Sequence, residues 1–390
     1  MSRYVSVLVL TVAVFLFGCH DTDSAKPTYQ YYVSATQNVT LSAASLKTLA
    51  LFTGQSDIAS LIKYDVKPYK IVYQTTYKGN RINASGLILI PDGIDKAPII
   101  SIQHGTTFLR SDAPTVSGSG GMELFASAGY VTLLPDYIGY GESASVFHPY
   151  YDQEYSANAV IDLINAGKEF LTSQHVSFSD KLFLAGYSEG GYVTLAAAHE
   201  IETNPALGLK VTAVAAGAGG YDLNDMLVGI ATESYYDYPS YIAFVLMAYN
   251  STYDWHRPLS YFFNTPYAAA LSTSMDGTHD GDEINALLTT DMPTLFESGF
   301  YARLRQADQE TDFKQAIAKN DVSGWNTALP IRLYHGTEDE IVPVENSEIT
   351  LQHFQNAGST TVTLKKIPGG THGTSLEPML RDVIPWLLTF

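Results

Sequence analysis

Along much of this chain the hydrophobic positions fall into short unbroken runs, at 99–102, 130–134, 182–184, 211–215, 331–334 and 362–365. Runs of this kind are the pattern of strands buried on both faces. Between several of them the apolar residues recur every three or four positions, most clearly over 154–171 and 190–201, and again in a last segment at 376–388. Strands alternating with helices predict an α/β fold with a mostly parallel central sheet and crossover helices on both faces. Ahead of this region, β-rich runs at 69–76 and 82–90 flank Lys78-Gly79-Asn80 and predict an antiparallel hairpin. Residues 41–64 carry Leu46, Leu49, Phe52, Ile58 and Leu61 at helical spacing with Gly54 as a break, predicting one or two short helices. The alternation stops from 221 to 329, an interval rich in Tyr and Phe that reads as a mainly helical cap inserted between two strands.

Length agrees with one core and one excursion: 390 residues exceed the usual compact domain, so 41–220 and 330–390 are expected to form the core. A hydrophobic content of 46% against 16% charged residues argues for a well-buried globular chain and against extended disorder. Lys+Arg number 22 and Asp+Glu 40, a formal charge of −18 that repels phosphate backbones and excludes nucleic acid as an expected partner.

The single cysteine, Cys19, excludes an intramolecular disulfide. Its position is informative. Arg3 precedes an apolar stretch at 4–17 that is too short to span a bilayer, and Gly18 supplies a small residue directly before Cys19. Leu16-Phe17-Gly18-Cys19 resembles the lipobox of bacterial lipoproteins. That resemblance implies a signal peptide over 1–18, lipidation of Cys19, a tether over 19–40, and attachment to the membrane through the lipid. Because His20 rather than Asp follows the cysteine, the outer membrane is the expected location.

The candidate chemistry begins at Leu182-Phe183-Leu184-Ala185, a predicted strand that runs directly into Gly186-Tyr187-Ser188-Glu189-Gly190-Gly191 and then a helix. A sharp strand-to-helix turn lifts a serine hydroxyl clear of a sheet, and glycines two residues either side remove side chains that would clash. The helix N-terminus adds positive potential where a negative intermediate must form. A serine is a weak nucleophile at neutral pH and needs a base held in one tautomer. His335-Gly336-Thr337-Glu338-Asp339-Glu340 places acids just after one predicted strand, and Thr371-His372-Gly373 places a histidine just after the last.

Together these segments resemble the α/β-hydrolase superfamily. Within it, Pro135-Asp136-Tyr137-Ile138-Gly139-Tyr140-Gly141-Glu142-Ser143, the inserted cap, and Asn320-Asp321-Val322 with Trp325 are similar to secretory-lipase-type enzymes and their bacterial relatives. The resemblance implies Ser188 as nucleophile, His372 as general base and Asp339 as the orienting acid, with Glu338 as the runner-up. It implies an oxyanion hole from the N–H groups of Glu189 and Thr106, with Thr107 as the second choice for the latter, and substrate contacts from Tyr187 and Thr107. His335 and His104, each before a glycine, are expected to make structural hydrogen bonds. The implied activity is hydrolysis of a small-molecule or lipid carboxylic ester through an acyl-enzyme, with no metal or organic cofactor. The crowded aromatic residues of the cap, such as Tyr236, Tyr241 and Phe244, would divide between core and pocket roof.

Two rival readings share these motifs. A prolyl-oligopeptidase-like serine peptidase uses the same triad, but the residues ahead of the sheet are too few for its propeller. A non-catalytic lipid-anchored binding protein would keep the fold without turnover. The acidic stretch Met275-Asp276-Gly277-Thr278-His279-Asp280-Gly281-Asp282-Glu283 suggests a calcium loop, but Leu287 stands where a bidentate Glu would be needed, so an acidic surface loop is expected.

Overall fold

The computed structural model describes residues 29–52 and 56–390. Within them β1 (Tyr32–Gln37), β2 (Val66–Tyr77), β3 (Asn80–Pro91), β4 (Ala97–Gln103), β5 (Val131–Pro135), β6 (Phe178–Tyr187), β7 (Ala213–Gly217), β8 (Ile331–Gly336) and β9 (Val362–Ile367) form one sheet in the order β1-β2-β3-β5-β4-β6-β7-β8-β9. The strands from β5 through β9 pair in parallel, while β1, β2 and β3 pair antiparallel and β3 joins β5 antiparallel. Successive residues of the central strands serve opposite faces. Ile99, Leu133, Leu184 and Val214 pack under the helices Gln153–Ser173 and Glu189–Thr203, whereas Ile100, Leu134, Phe183 and Ala215 pack under Glu123–Ala128 and Leu376–Leu387. Burying each such Leu, Ile or Val contributes about 1.5–3 kcal/mol, so strands covered on both faces anchor the sheet. This is an α/β-hydrolase fold, and it presents the C-terminal ends of β4, β6, β8 and β9 along one edge.

The hairpin closes through Lys78 and Gly79, both at positive φ (48° and 72°), the two-residue turn whose twist matches that of its strands. The tether expected over 19–40 ends earlier than the sequence reading placed it. Tyr32–Gln37 is strand β1, zipped onto β2. The Glu169 carboxylate also accepts from the N–H groups of Gln30, Tyr31 and Tyr32 at 2.9, 2.9 and 2.7 Å. An edge strand with exposed polar positions is held by its backbone bonds and by Tyr32 against Phe170, and hydrophobic patterning does not register it. The signal segment and Cys19 lie outside the described residues. No helix of the described residues is long and apolar enough to cross a membrane.

Between β7 and β8 lie short helices, the longest being Pro239–Thr252. They dock on one turn of the core: the Tyr249 hydroxyl donates to the Tyr151 carbonyl at 2.9 Å, and Tyr253 donates to the Asp152 carboxylate at 2.8 Å. The ends of the 221–329 interval belong to the core rather than to the cap. Asn346 Oδ1 accepts from the Tyr221 N–H at 2.9 Å. Trp325 packs against Phe354 and His199 and donates to Glu202. Aromatic richness alone does not separate a residue that leaves the core from one that returns to it.

Candidate active site

β6 ends at Tyr187, and Ser188 stands at φ 59°, ψ −127° as the cap of the helix Glu189–Thr203. A side chain at this φ is strained, and the surroundings enforce it. A Cβ on Gly186 would lie 2.1 Å from the Gly190 carbonyl oxygen, and one on Gly190 would lie 2.0 Å from that of Gln103. Strand, turn and helix therefore close on each other only with glycine at both places. The Ser188 N–H donates to the Gly217 carbonyl at 2.8 Å, tying the elbow to β7.

Opposite the elbow, the loops after β8 and β9 are stitched together by Thr337 N–H to the Ile367 carbonyl and Glu338 N–H to the Gly370 carbonyl. This carries His372 over Ser188. His372 Nδ1–H donates to Asp339, at 2.8 Å to Oδ2 and 3.0 Å to Oδ1. Nε2 is thereby the acceptor nitrogen, 2.9 Å from Ser188 Oγ. The Asp339 side chain is fully buried while Glu338 is exposed, which separates the two candidate acids. Burial alone would raise the Asp339 pKa. Hydrogen bonds from His335 and His372, the His372 charge and the Val342 N–H outweigh it and hold the carboxyl well below the usual carboxylate range. His335, at zero exposure, also faces Ser347 Oγ and the Val342 carbonyl, so it braces the acid's turn. Glu340 accepts from the His372 backbone N–H at 3.2 Å.

A narrow cavity opens at Ser188, walled by Thr106, Tyr150, Tyr151, Tyr241, Val245 and Val342 among others. Neither the Thr106 nor the Glu189 N–H has a protein acceptor among the described residues. Orphan donors of this kind are what an oxyanion hole requires. Thr106 Oγ1 pairs with the Tyr150 hydroxyl at 2.8 Å, and Phe244 of the cap stacks on Tyr150 at 4.5 Å. Burial, with smaller contributions from neighbouring phenols and Glu189, pushes the Tyr150 phenol well up, so it remains a hydrogen-bond donor.

Two expected substrate contacts are displaced from this cavity. Tyr187 donates its hydroxyl to the His372 carbonyl at 2.7 Å, and its ring lies beside the imidazole. It lines the neighbouring cavity shared by His104, Gly105 and Met379 rather than the one walled by Thr106, and its hydroxyl holds the backbone of the base. Thr107 points its hydroxyl at the Leu109 carbonyl and Asp112 and accepts from Tyr140 through its own carbonyl; local turn bonds hold it away from the cavity. His104 stacks on Tyr137 at 4.1 Å, with Nδ1 2.8 Å from the Gly105 carbonyl. In the acidic stretch, Asp276 accepts from Thr278 and His279, while Asp280 and Glu283 form a capping box on the helix Gly281–Leu287. No group of three or more His, Cys, Asp or Glu suited to a metal occurs among the described residues.

Sequence reasoning missed His148. It is buried, and its Nε2 lies 2.8 Å from the buried carboxylate of Glu189, the residue directly after the nucleophile. No spacing rule links positions 148 and 189. The burial of Glu189 in the first turn of the elbow helix is what demands a partner, and that burial is visible only in the folded chain.

Comparison with known proteins agrees with this geometry. The family model described as Secretory lipase matches residues 122–387. Among solved structures, the chain is similar to a protein of Legionella pneumophila assigned as a hydrolase, at 26% identity over 92% of this chain and 98% of that one, with a TM-score of 0.83. It shares its fold with the rice cell wall degrading esterase LipA of Xanthomonas oryzae (24% identity, 93% and 99% covered, TM-score 0.81). The same holds for Candida antarctica lipase A in its closed state (16% identity, 90% and 81% covered, TM-score 0.65). No curated protein sequence matches the chain.

Proposed function

From the premise that the chain belongs to the secretory lipase family and is a carboxylic ester hydrolase, we propose that it acts through an acyl-enzyme on Ser188. His372 Nε2 takes the Ser188 proton as Oγ attacks the ester carbonyl, and Asp339 stabilises the resulting imidazolium. The N–H groups of Glu189 and Thr106 receive the oxyanion, His372 then protonates the leaving alcohol, and a water activated in the same way releases the acid. The observation that carries this reading is the unbroken chain from Asp339 through His372 to Ser188 Oγ, with contacts of 2.8 and 2.9 Å. The narrow, aromatic-walled cavity beside Ser188 favours a small acyl group. The test is hydrolysis of a p-nitrophenyl ester series from acetate to laurate beside Ser188→Ala. Turnover that declines toward laurate and vanishes in the variant is expected, and turnover that survives in the variant removes the acyl-enzyme.

We also propose that Cys19 carries lipid and holds the enzyme at the outer membrane. This reading is supported by the position of the sole cysteine after a short apolar segment. Palmitate labelling of the chain that is lost in Cys19→Ala is the expected outcome, and equal labelling of the variant removes the anchor.

A further inference from the structure

His148 is 7% exposed and Glu189 1%. The ring has two fixed acceptors in front of it: the Ile138 carbonyl, 2.7 Å from Nδ1, and the Glu189 carboxylate, 2.8 Å from Nε2. A carbonyl can only accept, so Nδ1 carries a proton. The contact at Nε2 then needs a second proton, either on the imidazole or on the carboxyl group. Both arrangements give the pair the same total charge, zero. Without that second proton a carboxylate would face a nitrogen lone pair in a site closed by Tyr137, Tyr140, Tyr150 and Phe244. The loop is built to hold the ring there. A Cβ on Gly139 (φ 100°) would lie 2.6 Å from the His148 Cα, so only glycine lets the turn close over it.

We propose that His148 is a positioning residue for ester hydrolysis: it shares a proton with Glu189, so the residue donating its N–H to the oxyanion adds no negative charge beside it. This rests on the Ser188 acyl-enzyme reading above. The elbow fixes the Glu189 backbone within reach of the reacting carbonyl, which leaves its carboxylate only a few bonds from the developing negative charge. The Glu189 charge also reaches the phenols of Tyr150, Tyr151 and Tyr241, where it is a lesser contributor than burial in raising their pKa values, and all three line the Ser188 cavity. An uncompensated carboxylate there would oppose the oxyanion while leaving the neutral ester's binding nearly unchanged.

The test measures kcat and KM on a p-nitrophenyl ester for the wild type, His148→Gln, Glu189→Gln and the double variant, with melting curves for each. His148→Gln is expected to lower kcat by about 10- to 100-fold with KM within about twofold, because a charge opposing the oxyanion acts on the transition state alone. Glu189→Gln in that background removes the charge and is expected to restore much of kcat. A double variant as slow as the product of the two single losses overturns the proposal, since a purely structural clamp gives that result. Where His148→Gln does not fold, isotope-edited NMR of the wild type decides. Two protons on the pair are expected, and a neutral ring beside an ionised Glu189 overturns the proposal. Ser188→Ala tests the underlying reading separately: retained turnover there removes the acyl-enzyme, whereas a failed rescue with an inactive Ser188→Ala removes only the role of His148.

Discussion

The two ends of the elbow each hold a histidine against a buried carboxylate, and they differ in what faces the second ring nitrogen. At His372 the second nitrogen meets Ser188 Oγ, a hydroxyl that can give up its proton. At His148 it meets the Ile138 carbonyl, which can only accept. The first pair can therefore move a proton to and from a reacting group, whereas the second can only keep the one it shares. Exposure follows the same division: the His372 side chain is 11% exposed, at the cavity wall, while that of His148 is 6% exposed under an aromatic cover. Chemical identity of a pair does not make it catalytic; its remaining partner and its access to solvent do.

The sharpest way to break this comparison is to alter the acid behind the mobile proton. Asp339→Asn is expected to lower kcat by about 10³- to 10⁴-fold, since an amide facing Nδ1 favours the wrong tautomer. Glu338→Gln, on the exposed neighbour, is expected to stay within about twofold; steady-state kinetics on one ester compares them, and equal losses would reassign the acid. A smaller effect is expected where the cap meets the site. Tyr150→Phe removes the hydroxyl that orients Thr106 Oγ1, and kcat is expected to fall by about 3- to 10-fold with the fold intact, as for loss of one neutral hydrogen bond. An unchanged kcat would make that contact purely structural.

A third carboxylate sharpens the contrast without touching activity. Asp162 is half-buried, and burial, only partly offset by the nearby Thr75 hydroxyl and Arg81, pushes its pKa from 3.8 up to about 6. Because the folded value is raised, the folded state holds the proton more tightly. Stability is then lost as pH rises from about 4 to about 6 and is constant above. At about 1.36 kcal/mol per unit, the cost at pH 7 is at most about 3 kcal/mol. Asp162→Asn is expected to gain about 1–3 kcal/mol in denaturant unfolding at pH 7 and nothing near pH 3, where both states are protonated. A gain that persists at pH 3 would point to packing instead. Asp339 shows the opposite sign: its lowered pKa contributes stability at every pH above the usual carboxylate range, lost only in stronger acid.

How much was readable in advance depends on how local the cause is. The strand entering Ser188, its flanking glycines and the histidine after the last strand all follow from short-range patterning, and the fold brings Ser188, His372 and Asp339 within hydrogen-bond distance. Strand edges moved by a few residues, as where 211–215 became Ala213–Gly217, because pairing with a neighbour decides where a strand stops. β1 was read as tether because its support is hydrogen bonding to β2 and Glu169, which hydrophobicity does not record. The resemblance implies Tyr187 and Thr107 as substrate contacts, but neither walls the cavity at Ser188, because neighbours in a strand or turn point in different directions.

By itself the sequence determined the alternation of strands and helices, the elbow, and the order serine, acid, histidine, since each is written in patterns a few residues long. Tertiary structure alone decided that Asp339 meets the His372 ring while Glu340 takes only its backbone N–H, which tyrosines wall the cavity, and that His148 would share a proton with Glu189. Those outcomes depend on distances between segments far apart in the chain and on burial that leaves a charge no partner but the one across the fold.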